Sequence, residues 1–168
     1  MEDREVGSAE KAIRLIEKHK ASFKSMHFTL HVQRPIEHKG KSPNVCWCIE
    51  HMEPVFQQLM ISPDRVMLSI VDADTFMPEM YLKKVDEHLF FDEGIKDKSI
   101  FIVPNVYVRN EDDINPIGRV RDMMDSTQNI SFNGFSLFDV RLPFGYYTMS
   151  YNLIKSVGFY DTVEEAMC

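Results

Sequence analysis

The chain has 168 residues, of which 44% are hydrophobic and 27% are charged, and its formal net charge is −7. The length suits a single domain with its own hydrophobic core, and the composition excludes a disordered chain. The negative charge argues against a protein that binds nucleic acid, because such proteins hold phosphates mainly through lysine and arginine.

The N-terminal half is predicted to be mostly helical. Apolar residues recur at helical spacing over residues 8–23. Residues 26–32 alternate between apolar and polar side chains, which predicts a half-buried strand. His31, within this strand, is expected to be an ordinary surface or half-buried histidine. Ser42-Pro43 favours the start of a helix that continues to about residue 60, and Pro54 is expected to kink or divide that helix.

The middle of the chain is predicted to hold the centre of a sheet. Residues 66–71 form a nearly continuous apolar run, which is typical of a strand buried on both faces. A helix is expected to begin near Pro78. The next strand is predicted over residues 100–108, where Pro104 indicates an edge position or a bulge.

The C-terminal third continues the alternation of helices and strands. A helix is predicted from Pro116 to about Gln128, followed by a short strand over residues 146–149. Ser150 is expected to cap a last helix, and Gly158 suits the C-terminal end of that helix. The alternation along the whole chain predicts an α/β fold with a mainly parallel sheet.

Two carboxylates directly follow the most apolar predicted strand, in the sequence Asp72-Ala73-Asp74-Thr75. Ligands of open α/β sheets bind beyond the carboxyl ends of the strands. Asp72 and Asp74 would repel each other if they converged, unless a positive group lay near them, and Mn²⁺ or Mg²⁺ suits such an oxygen-rich site. The metal would also bridge the phosphates of a nucleotide diphosphate. The alternative is that the two aspartates only cap the next turn.

An Asp-x-Asp sequence after an apolar strand also occurs in haloacid-dehalogenase-like phosphatases. Those enzymes require Asp-x-Asp-x-Thr, in which the first aspartate is the nucleophile. Here Thr75 follows the second aspartate directly, and Phe76 occupies the position where the threonine is needed. A haloacid-dehalogenase-like phosphatase is therefore the lesser alternative.

Several segments, in the same order along the chain, resemble family 2 glycosyltransferases. Asp72 to Thr75 resembles their Asp-x-Asp motif, and residues 40–47 (Gly-Lys-Ser-Pro-Asn-Val-Cys-Trp) are similar to the Gly-Lys-Ser/Ala-x-Asn segment that precedes it. Later stretches of that family resemble three further segments of this chain, which are Leu142-Pro143-Phe144, Ser150-Tyr151 and residues 157–161. The resemblance covers roughly residues 9 to 168, and the ordered set is more specific than Asp-x-Asp alone.

The resemblance implies a fold, an activity and a site. The fold would be a partial Rossmann-like, GT-A-type glycosyltransferase domain, with residues 1–168 forming a single domain that is incomplete at both ends. The activity would be transfer of a sugar from a nucleotide-diphosphate donor to an acceptor hydroxyl, with inversion and with the help of Mn²⁺ or Mg²⁺. Asp74 would coordinate the metal, Asp72 would contact the donor or the metal, and Lys41 would lie near the donor diphosphate. The alternative for Lys41 is an ordinary solvated lysine in a loop.

The chain departs from family 2 enzymes at both ends. It begins after the strand and helix that form the family's nucleobase pocket, and it stops short of the motif that supplies the general base. The catalytic base is therefore expected to lie beyond Cys168. A non-catalytic fragment that binds a nucleotide sugar, or an interaction module, is the alternative interpretation. The missing strands are expected to leave an exposed sheet edge or apolar patch, which favours self-association.

The chain is expected to be cytoplasmic, or to lie at the cytoplasmic face of a membrane in an intact parent protein. Its charged first residues resemble no secretory signal, and no apolar run reaches the length of about 20 residues that a membrane span requires. Cys46, Cys48 and Cys168 form no disulfide framework. The expected partners are a nucleotide-diphosphate sugar and an unidentified acceptor, and nucleic acid is not among them.

Overall fold

A computed structural model of the chain describes residues 6–73, 75–107, 113–134 and 146–163. Contacts between backbone atoms divide the chain into two compact units, one of Met1–Val66 with Ile154–Cys168 and the other of Met67–Leu153. The described part of the first unit is built from helices and loops, and the second unit contains the sheet. None of the helices in the described ranges is long and apolar enough to cross a membrane.

The first unit contains three described helices before the sheet. They are α1 (Ser8–His19), which continues into a 3-10 turn at Lys20–Ser22, α2 (Lys41–Glu50) and α3 (Glu53–Gln58). Pro54 lies in the first turn of α3, where a missing backbone N–H costs no helical hydrogen bond. The prediction that Pro54 divides the helix is therefore confirmed. The buried apolar side chains of this unit include Ala12, Cys46, Ile49, Phe56 and Ile154.

The strand predicted over residues 26–32 does not form. Residues 25–30 have no regular secondary structure, and His31 makes only an isolated bridge. Phe28 and Val32, which should occupy one buried face, are instead exposed, whereas His31 is buried. The prediction was wrong because the burial of this segment is set by the polar contacts of His31 and not by its apolar alternation.

The described part of the second unit contains a three-stranded sheet with helices between its strands. Its strands are β1 (Met67–Val71), β2 (Phe101–Ile102) and β3 (Tyr146–Ser150). Helix α4 (Tyr81–Phe91) lies between β1 and β2 in the sequence, and α5 (Pro116–Gly134) between β2 and β3. The strand predicted over residues 100–108 forms only at Phe101–Ile102, an outer strand of the described sheet, and Pro104 lies in the irregular segment that follows it. The mixed α/β class is confirmed.

The central strand is β3, and it pairs with both of the others. The order in the sheet is β1-β3-β2, and both ladders are antiparallel. All five residues of β3 are buried, whereas β1 carries half-buried and exposed residues. The apolar run at residues 66–71 therefore belongs to an outer strand of the described sheet, contrary to the prediction of a central one.

The prediction of a mainly parallel sheet was wrong. β1 and β2 are each antiparallel to β3, so they run in the same direction as each other, but β3 lies between them. Alternating helices and strands indicate crossover connections, yet they do not tell which strand will be inserted between two others. Because β3 runs opposite to β1 and β2, both of the ladders that it forms are antiparallel.

Tyr81 of α4 packs in the core of the second unit and forms hydrogen bonds with two of the strands. Its side chain clusters with those of Val85 and Tyr146. The Tyr81 hydroxyl lies 2.9 Å from the carbonyl oxygen of Phe101 and 2.8 Å from Oγ1 of Thr148. Oγ1 of Thr148 in turn lies 2.7 Å from Oγ of Ser69 in β1. One hydrogen-bond network, buried at Tyr81 and Thr148, thus connects α4 with all three strands.

The last described helix, α6 (Tyr151–Ser156), begins and ends as its sequence predicts. The backbone N–H of Leu153 donates a hydrogen bond of 2.9 Å to Oγ of Ser150, which satisfies one of the donors left open at a helix start. Gly158 follows the helix with φ of 80°, a left-handed conformation that favours glycine. Both capping predictions are confirmed.

Candidate functional site

β1 and β2 end at the same side of the sheet in the second unit, and this side, where their carboxyl ends lie, is called the edge of the sheet below. Val71, the last residue of β1, pairs with Tyr146, and Ile102, the last residue of β2, pairs with Tyr147. The residues that follow both strands therefore emerge at the same edge, on either side of the start of β3. Because neighbouring strands lie about 4.8 Å apart, the two chain segments are separated by roughly 10 Å across β3.

Asp72 is the first residue beyond β1 at this edge. It is half-buried, and its carbonyl oxygen accepts a hydrogen bond of 3.0 Å from the backbone N–H of Thr75. That bond closes a turn over residues 72–75 directly after the strand. The bond uses the backbone carbonyl of Asp72 and not its carboxylate, so both interpretations of that carboxylate, a turn cap and a ligand site, stay predictions.

Asp74 lies outside the described residues, so its predicted role as a metal ligand stays a prediction. In the described part of the chain, no group of three or more His, Cys, Asp or Glu side chains is placed to hold a metal ion. Asp72 itself fits the chemistry of Mn²⁺ or Mg²⁺, since both ions prefer carboxylate oxygens and complete their coordination with water or phosphate. Asp72 and Asp74 remain the candidate ligands.

The hydroxyl network behind this edge holds β1 and β2 in register with β3. Burial raises the pKa of Tyr81, while the hydrogen bond with Thr148 opposes that rise. The phenol therefore stays protonated at neutral pH and continues to donate. Burial also raises the pKa of Tyr146, and the neighbouring Tyr81 contributes to that rise. The rings of Tyr81 and Tyr146 meet edge to face at 5.2 Å, which adds a favourable aromatic contact.

A cleft of about 260 Å³ lies between the segment that follows β2 and helix α5. Its lining residues are Val106, Tyr107, Arg119, Val120, Asp122, Met123 and Ser126. The backbone N–H of Tyr107 donates a hydrogen bond of 2.9 Å to Oγ of Ser126, which holds this segment against the helix. The cleft is smaller than most ligand pockets, and it places an aromatic ring beside aliphatic side chains on the β2 side of the sheet.

Lys41, the predicted donor-binding lysine, is the first residue of α2 in the first unit, and it is exposed. The side-chain amide of Asn44 donates a hydrogen bond of 3.2 Å to the carbonyl oxygen of Gly40, so it braces the first turn of that helix. Lys41 thus begins a helix in one unit, whereas Asp72 follows a strand in the other. Its predicted role near the donor diphosphate stays a prediction.

A buried polar cluster in the first unit was not predicted from the sequence. Nε2 of His31 lies 3.0 Å from Oε2 of Glu37, and both side chains are buried. The backbone N–H of Arg34 donates a hydrogen bond of 2.7 Å to the same carboxylate oxygen. The guanidinium of Arg34 bonds to Glu50 at 2.9 Å and lies 5.4 Å from the ring centre of Trp47, both on α2.

Glu37 stays ionised in this cluster. Burial acts to raise the pKa of its carboxyl, but the hydrogen bonds from the Arg34 backbone and from His31 outweigh burial and lower the pKa. Nδ1 of His31 is buried and has no hydrogen-bond partner among the residues that the structure describes. The cluster ties residues 31–37 to α2. A histidine six residues before a glutamate is no recognised motif, so the sequence offered no signal for it.

The remaining segments of the family 2 resemblance divide between described and undescribed residues. Leu142-Pro143-Phe144 lies outside the described residues. Ser150 caps α6, and the stretch 157–161 ends that helix and then contacts α2 through a thiol. Sγ of Cys46 donates to the carbonyl oxygen of Tyr160 at 3.4 Å, and the Tyr160 N–H returns a bond of 3.3 Å to the same sulfur. These contacts are structural.

Comparison with known protein families, with curated proteins and with solved structures found nothing that matches this chain.

Proposed function

We propose that the chain carries part of the donor site of a GT-A-type glycosyltransferase. In this proposal a sugar is transferred, with inversion, from a nucleotide-diphosphate donor to an acceptor hydroxyl. The observation that carries the proposal is the place of Asp72, a half-buried carboxylate at the carboxyl end of a strand. Open α/β sheets bind their ligands at that end.

The direction of the strands supports this assignment. β1 and β2 run the same way and are joined through α4, so the segments that follow them share one edge of the sheet. A ligand at that edge would contact Asp72 on one side and the segment Val103 to Tyr107 on the other. The separation of roughly 10 Å, two strand spacings, suits a ligand with two linked groups such as a nucleotide diphosphate.

The chain's own residues would bind and orient the donor. Asp72 and Asp74 would hold Mn²⁺ or Mg²⁺ through their carboxylates, and the metal would bind the diphosphate of the donor. A bound divalent ion neutralises charge that develops on the leaving diphosphate. The hydroxyl network of Tyr81, Thr148 and Ser69 would keep the strand ends fixed, so that Asp72 meets the donor without rearrangement.

The general base is assigned to no residue of this chain. Deprotonating the acceptor hydroxyl requires a group within hydrogen-bond reach of it. Binding of the donor is therefore the property by which this chain is tested, and turnover is not.

The test is calorimetric titration of UDP, GDP and their sugar conjugates into the full chain, with and without Mn²⁺. We expect metal-dependent binding with a dissociation constant of about 10 μM to 1 mM, or roughly 4 to 7 kcal/mol. Asp72→Ala and Asp74→Ala should each abolish it. Asp86→Ala, which removes an exposed carboxylate of α4, is the matched control and should bind as the wild type does.

Absence of binding to the wild type would mean that the chain is a non-catalytic fragment or an interaction module. The phosphatase alternative has its own signature, since its nucleophilic aspartate forms an aspartyl phosphate. Tight binding of beryllium fluoride with Mg²⁺, lost in Asp72→Ala, would refute the transferase proposal and favour a phosphatase.

A further inference from the structure

Helix α5 presents its large apolar side chains to solvent. The exposed fractions are 84% for Ile117, 54% for Val120, 64% for Met123 and 65% for Met124. These four residues are called the α5 stripe. Positions 117, 120 and 124 recur at helical spacing, so they share one face of the helix, and Met123 borders that face.

The opposite face of α5 is polar and packs inward. Ser126 and Asn129 are each only 7% exposed, and Oγ of Ser126 accepts the hydrogen bond from the backbone N–H of Tyr107. A surface helix of a globular protein normally buries its apolar face and exposes its polar one. α5 does the reverse, and an apolar surface of this kind marks an interaction site.

We propose that the α5 stripe packs against the α5 stripe of a second copy of this chain, with the two helices antiparallel about a two-fold axis. The charges beside the stripe select this partner. Arg121 and Asp125 lie one turn apart on one rim of the stripe, with Nε and Oδ2 3.7 Å apart.

In an antiparallel two-fold pair, each rim meets the same rim of the copy in reverse order. Arg121 would then face Asp125 of the second copy, and the reciprocal pair would form as well. In a parallel pair this rim would meet the opposite one, which carries Met123 and Arg119, and these ion pairs would not form. The Arg121 and Asp125 charges are therefore self-complementary in the antiparallel arrangement.

The exposed area is sufficient for a weak to moderate dimer. Val106 and Tyr107 line the cleft beside the stripe together with Val120 and Met123, and both are about half exposed. Six side chains of this size present on the order of 600 Å² per copy, or roughly 1,200 Å² in the pair, which is the lower end for stable interfaces. An anionic lipid surface is a poorer partner, because the chain carries a net charge of −7.

The first test is sedimentation of the full chain over a range of concentrations. We expect the wild type to form a dimer that dissociates on dilution, and Met124→Glu to raise the dissociation constant at least tenfold. Phe90→Glu is the control, because Phe90 is 84% exposed, against 65% for Met124, but belongs to α4, and it should dimerise as the wild type does. Both substitutions are at exposed sites, so circular dichroism should show unchanged folding.

The second test reverses single charges at low salt, where charge interactions are least screened. Arg121→Asp alone and Asp125→Arg alone should each dimerise at least tenfold more weakly, because like charges then face each other. An equimolar mixture of the two variants should form a heterodimer, since both facing pairs become opposite in sign. This rescue is specific to antiparallel pairing of two copies.

Three outcomes would overturn the proposal. The first is a wild type that stays monomeric at about 100 μM, a concentration at which even a weak specific dimer forms. The second is a mixture of the charge variants that associates no better than each variant alone. The third is co-flotation of the monomer with vesicles of phosphatidylcholine and phosphatidylserine, which would assign the stripe to a lipid surface.

Discussion

Removing the Tyr81 hydroxyl tests whether the network of Tyr81, Thr148 and Ser69 holds the sheet together. Tyr81→Phe keeps the ring that packs against Val85 and Tyr146. It deletes the oxygen that lies 2.9 Å from the carbonyl of Phe101 and 2.8 Å from Oγ1 of Thr148. The substitution is therefore a change in hydrogen bonding at nearly constant shape.

The expected loss of stability follows from the partners left behind. Thr148 retains its contact with Ser69 at 2.7 Å, so its hydroxyl is not fully deprived of a partner. The Phe101 carbonyl loses the Tyr81 donor in a partly buried position. A net hydrogen bond contributes about 1 kcal/mol, and an unsatisfied buried group costs about 1–3 kcal/mol. We expect Tyr81→Phe to lower the free energy of unfolding by about 1–3 kcal/mol.

Urea unfolding followed by far-ultraviolet circular dichroism measures this loss. Tyr107→Phe is the matched control, because Tyr107 is 45% exposed, and its change should stay within about 0.5 kcal/mol. The double variant Tyr81→Phe/Thr148→Val should lose less than the sum of the two single variants, because the two hydroxyls contact each other. A Tyr81→Phe protein as stable as the control, or strict additivity in the double variant, would refute the role of the network.

Three further predictions concern single side chains. Because the pKa of Glu37 is lowered in the folded protein, the unfolded chain takes up this proton first as the pH falls. The stability that Glu37 contributes is therefore present above the unfolded pKa of about 4.3 and is lost as the pH falls through the folded pKa. Glu37→Gln should flatten the acid side of a plot of unfolding free energy in urea against pH, and an unchanged acid slope would contradict the lowered pKa. Ser150→Ala should lower the free energy of unfolding by about 1 kcal/mol, because it removes the side-chain cap of α6. Urea unfolding measures this loss, and a change below about 0.3 kcal/mol would show that the cap contributes little. Burial raises the pKa of the Cys46 thiol, whereas Cys48 is exposed. Maleimide should therefore modify Cys48 well before Cys46, as measured by mass spectrometry of the labelled protein. The reverse order would contradict the burial of Cys46.

Elements that depend on local chemistry were predictable from the sequence. Pro54 divides two helices because it fits only the first turn of a helix, and Ser150 and Gly158 mark the two ends of α6 because capping needs a side-chain oxygen and a left-handed residue. The strand before Asp72 was found from its apolar run. These features involve residues within a few positions of each other.

The candidate site was predictable only in part. The position of Asp72 after a strand follows from the sequence, but the residues that support it do not. Tyr81, Phe101 and Thr148 meet from positions up to 67 apart in the chain, and no periodicity links them. His31 was expected to be ordinary, because its pairing with Glu37 depends on how the intervening loop folds back onto α2.

The sequence by itself determined the type and approximate limits of most helices, the strand at residues 67–71 and the carboxylate that follows it. Only the tertiary structure decided the order and direction of the strands and which face of α5 packs inward. The physical reason is the range of the interactions. Capping, proline geometry and apolar runs act over a few residues. Insertion of β3 between β1 and β2 depends instead on contacts between segments about 80 residues apart, such as Ser69 with Thr148. A pattern of neighbouring residues does not predict the free energy of such contacts.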